Sequence, residues 1–195
     1  MSTTSGVSMS NKQFVLAKLA KEASLTLGAL SLSSRNAALQ KIHDTLVAQK
    51  DAVLEANKLD MQAAQELVKK GQLQASMVKR LDLGLPGKYP SMCQGVLDIL
   101  NLPDPLGRVT YETEMDHGLE LKRISCALGV LLVIFEARPE VVVNITALAL
   151  KSGNSFPSSL LLRAGKQAVK KVLMTRKRCY SERRQGINPY VFTTR

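Results

Sequence analysis

Two short segments of this sequence carry positively charged side chains at positions where a nucleotide phosphate would be expected to bind. Arg138 lies in Phe135-Glu-Ala-Arg-Pro139 and Lys166 lies in Arg163-Ala-Gly-Lys166, and each segment follows an apolar run typical of a β-strand. Loops at the carboxyl ends of parallel strands face the ligand crevice, because backbone N–H groups and helix N-termini collect there. A planar guanidinium and a compact ammonium both suit a phosphate or a ribose. On spacing alone, ordinary solvated turn charges remain the alternative interpretation.

The common phosphate-binding motifs are absent around Gly165-Lys166. A P-loop requires GxxxxGK followed by Ser or Thr, but Gly153 lies too far upstream and Gln167 occupies the hydroxyl position. The sequence also lacks a GxGxxG fingerprint. Any dinucleotide site in this chain is therefore of a different kind from the usual Rossmann loop.

The cysteines and histidines do not indicate a nucleophile or a metal site. Cys93 lies in a helical stretch and Cys126 at the entrance of a strand, so we expect both thiols to be buried in the core. Cys179 lies among arginines that would favour its thiolate, but no folded pocket is predicted around it. Neither His43 nor His117 has metal-ligand spacing, and no CxxC pair occurs. We predict no catalytic residue and no metal site.

The first third of the chain is predicted to consist of helices. One amphipathic helix covers residues 34–50, with Ser33 or Ser34 as its N-cap and with an apolar face formed by Leu39, Ile42, Leu46 and Val47. A second helix is capped by Asp51 and stopped by Gly71, and its buried side comprises Val53, Ala56, Ala63 and Leu67. Asp60 interrupts that buried side. Shorter helices are predicted over residues 74–83 and 91–100.

A β-hairpin and a β-α-β unit are predicted next. Residues 108–114 and 119–125 read as two strands joined at Asp116-His117-Gly118, which gives an antiparallel ribbon. The continuous apolar run over residues 129–135 predicts a parallel strand buried on both faces. A helix over residues 140–151 and a second strand over 159–163 complete the unit, with Pro139 in the first helical turn and Gly153-Asn154 as the stop.

Composition and charge are those of a globular protein with an unusual basic segment. The 195 residues are 45% hydrophobic and carry a net charge of +11. Nine of the 27 Lys and Arg residues, but one of the 16 acidic residues, lie from Lys166 onward. We expect one domain without a transmembrane helix or a targeting segment, and hence a cytoplasmic protein without a membrane partner. The basic segment leaves nucleic acid open as a less favoured partner.

Several motifs of the chain resemble those of γ-glutamyl phosphate reductases, also called glutamate-5-semialdehyde dehydrogenases, in their fungal form. These enzymes belong to the aldehyde dehydrogenase superfamily. The resemblance covers residues 13–168 and is strongest in Gly129-Val-Leu-Leu-Val-Ile-Phe-Glu-Ala-Arg-Pro-Glu-Val141. It also rests on Lys41-Ile-His-Asp44, Glu55-Ala-Asn-Lys-Leu-Asp60, Lys79-Arg-Leu-Asp-Leu83, Asp104-Pro-Leu-Gly107, Asn144-Ile-Thr-Ala147 and Lys151-Ser-Gly-Asn154.

The resemblance implies an α/β fold. The chain would form an incomplete aldehyde-dehydrogenase-like N-terminal cofactor-binding domain, with leading helices and an antiparallel ribbon. It also implies reduction of L-glutamyl 5-phosphate by NADPH in proline biosynthesis, through attack of a cysteine thiolate and hydride reduction of the thioester. A homo-oligomer is a further implication. The nicotinamide side of the NADP site would be lined by Phe135, Glu136, Ala137 and Arg138. The adenosine ribose or its phosphate would be approached by Arg163, Gly165 and Lys166.

Three departures from the family pattern lead us to expect a truncated chain without turnover. The family's catalytic cysteine follows an Asn-Tyr-Pro segment that this sequence lacks, and none of the three cysteines matches it. Extra residues, including Phe156-Pro157-Ser158, precede the second predicted strand. After about residue 168 the pattern ends, which suggests a shifted reading frame or a mis-spliced gene. We therefore predict a disordered tail over 1–12, a partial NADP-binding domain over 13–168 and a basic tail outside the family pattern over 169–195. An inactive fragment, an unstable one and a basic-tailed binding protein are the alternatives.

Overall fold

A computed structural model describes residues 11–133 and 138–156 of the chain. In these ranges it contains six α-helices and one two-stranded antiparallel sheet. The predicted α/β class with leading helices and a ribbon is therefore confirmed. The helices are α1 (Asn11–Gly28), α2 (Leu32–Ala48), α3 (Lys50–Lys69), α4 (Ala75–Leu81), α5 (Lys88–Asn101) and α6 (Pro139–Lys151). The ribbon consists of β1 (Val109–Asp116) and β2 (Leu119–Ile124).

The N-terminus of α2 differs from the sequence prediction by two or three residues. Ser31, rather than Ser33 or Ser34, is the N-cap: its backbone is extended and its Oγ accepts from the N–H of Ser34 at 3.2 Å. A hydroxyl at this position satisfies one of the free N–H groups of the first turn. The predicted apolar face is otherwise confirmed at Leu39, Ile42 and Leu46, whereas Val47 is 54% exposed.

The buried side of α3 is more polar than its sequence pattern suggests. Val53 is buried as predicted, but Ala63 is exposed, and Asn57, Asp60 and Ala64 occupy the remaining buried positions. The amide of Asn57 explains part of this difference. Its Nδ2 donates to the carbonyl of Leu81 and its Oδ1 accepts from the N–H of Leu83, both at 2.9 Å. A buried side chain that pairs with backbone groups loses little free energy on desolvation.

The ends of α3 agree with the prediction at one terminus only. Gln49 is the N-cap residue and makes no side-chain cap bond, so Asp51 lies in the first turn and does not cap the helix. Its carboxylate still opposes the positive end of the helix dipole. Gly71 follows the last residues of the helix with a φ of 68° and acts as the predicted stop.

The hydrophobic core lies between α2, α5 and α6, which pack on one another. From α5 it takes Tyr89, Met92, Cys93, Val96 and Ile99, and the hydroxyl of Tyr89 donates to the carbonyl of Leu46 at 2.8 Å. From α6 it takes Val143, Ala147 and Leu150. Among the described residues, none of the helices combines the length and the apolar character needed to cross a membrane.

The ribbon of β1 and β2 is confirmed and is mostly exposed on both faces. The strands are joined through His117 and Gly118, and Gly118 has a φ of 77°. On one face, Lys122 Nζ lies 2.8 Å from carboxylate oxygens of both Glu112 and Glu120. Opposite charges across and along a ribbon hold its register, each by a fraction of a kcal/mol.

The apolar run after the ribbon is not buried on both faces as predicted. Val130 forms a parallel bridge with Ser155, but Val130 is 38% and Leu132 is 57% exposed. In the described ranges, Ser155 provides the pairing for this run, so one face is left uncovered. The end of this predicted strand, over 134–137, and the second predicted strand, over 159–163, lie outside the described residues.

Candidate functional site

Arg138 lies at the N-terminus of α6, at the end of the segment that the sequence analysis singled out. It is the exposed N-cap residue, and its own side chain makes no capping hydrogen bond. Pro139 occupies the first turn, where its missing N–H costs no hydrogen bond, and is buried. The side chain of Arg138 and the positive end of the helix dipole therefore share one end of α6.

The first turn of α6 is held to the neighbouring helices by an ion pair. Lys88, the first residue of α5, places its Nζ 3.4 Å from Oε1 of Glu140 and also donates to the carbonyl of Arg80. Both side chains of the pair are about four-fifths buried, with 20% and 21% exposure. Oε2 of Glu140 is buried and has no hydrogen-bond partner among the described residues. Among the described residues, Lys88 is therefore the cation that compensates the charge of this carboxylate.

Hydrogen bonds from the backbone N–H groups of the apolar run and of Ser155 connect the opposite end of α6 to that run. Gly129 donates its N–H to Oδ1 of Asn154 at 2.8 Å, and Ser155 donates its N–H to the carbonyl of Gly129 at 2.7 Å. Leu131 in turn donates to the carbonyl of Ser155 at 2.9 Å. These bonds align the run and the segment after α6 in parallel, as a β-α-β unit requires.

A buried charged cluster fixes this end of α6 to the helical layer. Arg35 donates from Nη2 to both carboxylate oxygens of Asp104, at 3.0 and 2.8 Å, and from Nη1 to the carbonyl of Lys151. Nζ of Lys151 donates to Oδ1 of Asn36 at 2.9 Å and to the carbonyl of Leu100 at 2.8 Å. Burial lowers the pKa of Lys151, while the hydrogen bond from Arg35 lowers the pKa of Asp104. The cluster consists of satisfied groups, which indicates a structural role.

The residues predicted to contact NADP fall mostly outside the described ranges. Arg138 is described; the six others are Phe135, Glu136, Ala137, Arg163, Gly165 and Lys166. Their assignment to a cofactor groove stays a prediction. No local sequence pattern indicates the roles of Arg35 and Lys88, because each depends on a partner far away in the chain. The motif Lys151-Ser-Gly-Asn154 did mark the end of α6.

The cysteine predictions are half correct. Cys93 is 7% exposed in the core, and burial raises the pKa of its thiol. Cys126, which we expected to be buried, is exposed because it lies in the connection that leaves β2 rather than inside a covered strand. Within 11–133 and 138–156, no group of three or more His, Cys, Asp or Glu residues is placed to hold a metal ion. Cys179 lies outside these ranges.

Comparison with known proteins identifies relatives of one kind. The chain is 54% identical over 153 residues to a probable γ-glutamyl phosphate reductase of Schizosaccharomyces pombe, a match that covers 78% of this chain and 33% of the relative. It is 45% identical over 161 residues to the γ-glutamyl phosphate reductase of Saccharomyces cerevisiae, covering 83% and 33%. No protein-family model matches.

Solved structures agree with the sequence comparison. The crystal structure of γ-glutamyl phosphate reductase from Saccharomyces cerevisiae superposes with a TM-score of 0.82 at 38% identity, and covers 94% of this chain and 45% of that one. The Thermotoga maritima enzyme gives a TM-score of 0.79 at 28% identity, covering 95% and 43%. The chain spans about a third of the length of the curated relatives that it matches. Over that shared length, the chain is similar in sequence and in fold to γ-glutamyl phosphate reductases.

Proposed function

We propose that this chain forms part of the NADP-binding half of a γ-glutamyl phosphate reductase, which reduces L-glutamyl 5-phosphate to L-glutamate 5-semialdehyde in proline biosynthesis. The observation that carries this proposal is the 54% identity to the Schizosaccharomyces pombe relative across most of the chain. A cytoplasmic location, a small-molecule substrate and assembly into a homo-oligomer belong to the same proposal.

The described residues fit an anionic dinucleotide at one end of α6. Arg138 is exposed there, its side chain makes no capping hydrogen bond, and α6 adds the positive end of its dipole. NADPH carries phosphate groups that all of these features favour, and when bound it would supply the hydride. We propose that Arg138 acts together with Phe135, Glu136 and Ala137 on the nicotinamide side, and that Arg163, Gly165 and Lys166 approach the adenosine ribose or its phosphate.

We assign the catalytic thiol to none of the cysteines of this chain. Cys93 is buried, and its raised pKa disfavours the nucleophilic thiolate. Neither Cys126 nor Cys179 follows the Asn-Tyr-Pro pattern that marks the nucleophile in the family that the chain resembles. Binding of NADPH is therefore expected of this chain, whereas turnover is not.

A calorimetric titration of the purified chain with NADPH tests the proposal, in parallel with an assay of NADP reduction by glutamate semialdehyde. We expect saturable binding without turnover, and weaker binding by Arg138→Ala, on the order of tenfold for one charge-assisted contact. The exposed and distant Lys58→Ala serves as the control and should bind as the wild type does. Turnover by the wild type would refute the absence of a nucleophile.

The same preparation separates this function from that of a basic-tailed binding protein. Cations that neutralise phosphates give an affinity for DNA that falls steeply with salt. Retention of DNA that disappears with added salt, with no NADPH binding, would replace the proposed function by the alternative that rests on the basic residues from Lys166 onward.

A further inference from the structure

Lys88 connects three helices at the end of the fold that carries Arg138. It follows Gly87, whose φ of 81° lets the chain turn sharply into α5. From this position its Nζ reaches the carbonyl of Arg80 in α4 and Oε1 of Glu140 in α6, the latter at 3.4 Å. The side chain is 20% exposed, so most of its length is packed against the protein.

The other end of this contact is two residues from Arg138. Glu140 lies in the first turn of α6, and the N–H of Val141 bonds back to the carbonyl of Arg138 at 3.1 Å. The direction in which Arg138 leaves the helix is thus set by the same turn that Glu140 anchors. Because Oε2 of Glu140 is buried without a described partner, loss of Lys88 would leave a carboxylate poorly compensated in a mostly buried place.

We propose that Lys88 is a positioning residue for Arg138. Through its ion pair with Glu140, Lys88 fixes the first turn of α6 and thereby the place of Arg138. This inference rests on the proposed function for its link to NADPH. Lys88 itself does not touch the cofactor in this account. The ion pair with Glu140 requires the charge of Lys88, and the hydrogen bond to the carbonyl of Arg80 requires the length of its side chain.

Amide hydrogen exchange of the free chain tests the positioning without any cofactor. In Lys88→Gln, we expect faster exchange at the first turn of α6, on the order of fivefold for a mostly buried ion pair, and unchanged exchange in the second half of α5. Lys88→Arg should restore the slow exchange because it keeps the charge. The exposed pair of Lys69 and Glu66, 2.8 Å apart, supplies the matched control Lys69→Gln, which should leave α6 unchanged.

Titration with NADPH tests the second half of the inference. We expect Lys88→Gln to bind several-fold more weakly than the wild type and Lys88→Arg to bind nearly as well. Unchanged exchange at α6 in Lys88→Gln overturns the inference, whatever the affinity for NADPH. Faster exchange with unchanged affinity overturns the link to the cofactor. If the wild type binds no NADPH, the proposed function fails and exchange alone decides the positioning. Should Lys88→Gln not fold, Glu140→Gln removes the same ion pair while Lys88 keeps its hydrogen bond to the carbonyl of Arg80, and it is judged by the same criteria.

Discussion

The guanidinium of Arg35 joins parts of the fold that are far apart in sequence. Its side chain is 3% exposed, and it donates to Asp104, to the carbonyl of Lys151 and, at 3.2 Å, to the carbonyl of Leu30. We expect Arg35→Met to lower the free energy of unfolding by about 3 kcal/mol, because three acceptors lose a charged donor at once. Urea unfolding measures the difference.

Two further variants show whether the geometry or the charge of Arg35 is responsible. Arg35→Lys keeps the charge, but one ammonium group cannot reach Asp104 and the carbonyls of Leu30 and Lys151 together, as the three guanidinium nitrogens do, so we expect a loss of intermediate size. The exposed Arg80→Met, on α4, should change the stability by less than about 0.5 kcal/mol. An equally small loss for Arg35→Met would contradict the structural role of the cluster.

Asp104 makes the stability of this cluster depend on pH. The hydrogen bond from Arg35, followed by the bond from the N–H of Leu106, lowers the pKa of Asp104 below its usual 3.8. A carboxyl whose pKa is lower in the folded state stabilises the fold above its unfolded pKa, and that contribution is lost as the pH falls through the folded pKa. We expect wild type to exceed Asp104→Asn in stability at about pH 6, with the difference shrinking toward about pH 3. The two unfolding curves measured across this range should therefore converge; a constant gap would argue against the ionised pair.

At the scale of elements, the turn after α6 depends on a glycine for two separate reasons. Gly153 has a φ of 67°, and a Cβ there would lie 2.9 Å from Cδ1 of Leu106 and 3.3 Å from Cα of Gly28. Gly71, after α3, has a similar φ of 68° but open space around it. We expect Gly71→Ala to cost about 1 kcal/mol from backbone strain alone. Gly153→Ala should cost about 2 kcal/mol more, because backbone and side-chain neighbours must move.

Thermal unfolding of the two alanine variants checks this comparison. The difference between them isolates the close packing of the α6 turn, since the backbone conformation is nearly the same at both sites. Equal costs would mean that the turn relaxes without strain and that α6 is less firmly tied to α1 than the structure indicates.

The elements that were predicted correctly from the sequence are those that local patterns specify. The helical periodicity of α2 and α5, the prolines after α5 and Gly118 in the ribbon act within a few residues, and these elements were found. Ser31 as the cap of α2 and Asn57 as a buried residue were missed. Asn57 is explained by backbone groups of Leu81 and Leu83, contacts that no periodic pattern reveals. For the site, the position of Arg138 at the start of α6 followed from Pro139, whereas Lys88 and Arg35 depend on distant partners.

At the scale of the whole molecule, the apolar run after the ribbon leaves hydrophobic surface uncovered. Leu128, directly before the run, is 81% exposed, and Val130 and Leu132 within it are 38% and 57% exposed. Contiguous exposed apolar surface promotes association of chains and binding of hydrophobic dyes. We expect the double variant Leu128→Lys/Leu132→Lys to bind less of such a dye and to remain monomeric at higher concentration than the wild type. Its stability should change by less than about 0.5 kcal/mol, because both side chains are already in water.

A control at a single exposed leucine elsewhere distinguishes the effect of the apolar run from that of isolated exposed apolar residues. Leu59 on α3 is 56% exposed, and Leu59→Lys changes exposed area and charge in the same way at another place. If the apolar run is responsible, dye fluorescence and light scattering fall in the double variant and stay near the wild-type level in Leu59→Lys. Equal reductions in both would mean that added charge, rather than coverage of the apolar run, controls association of the chain.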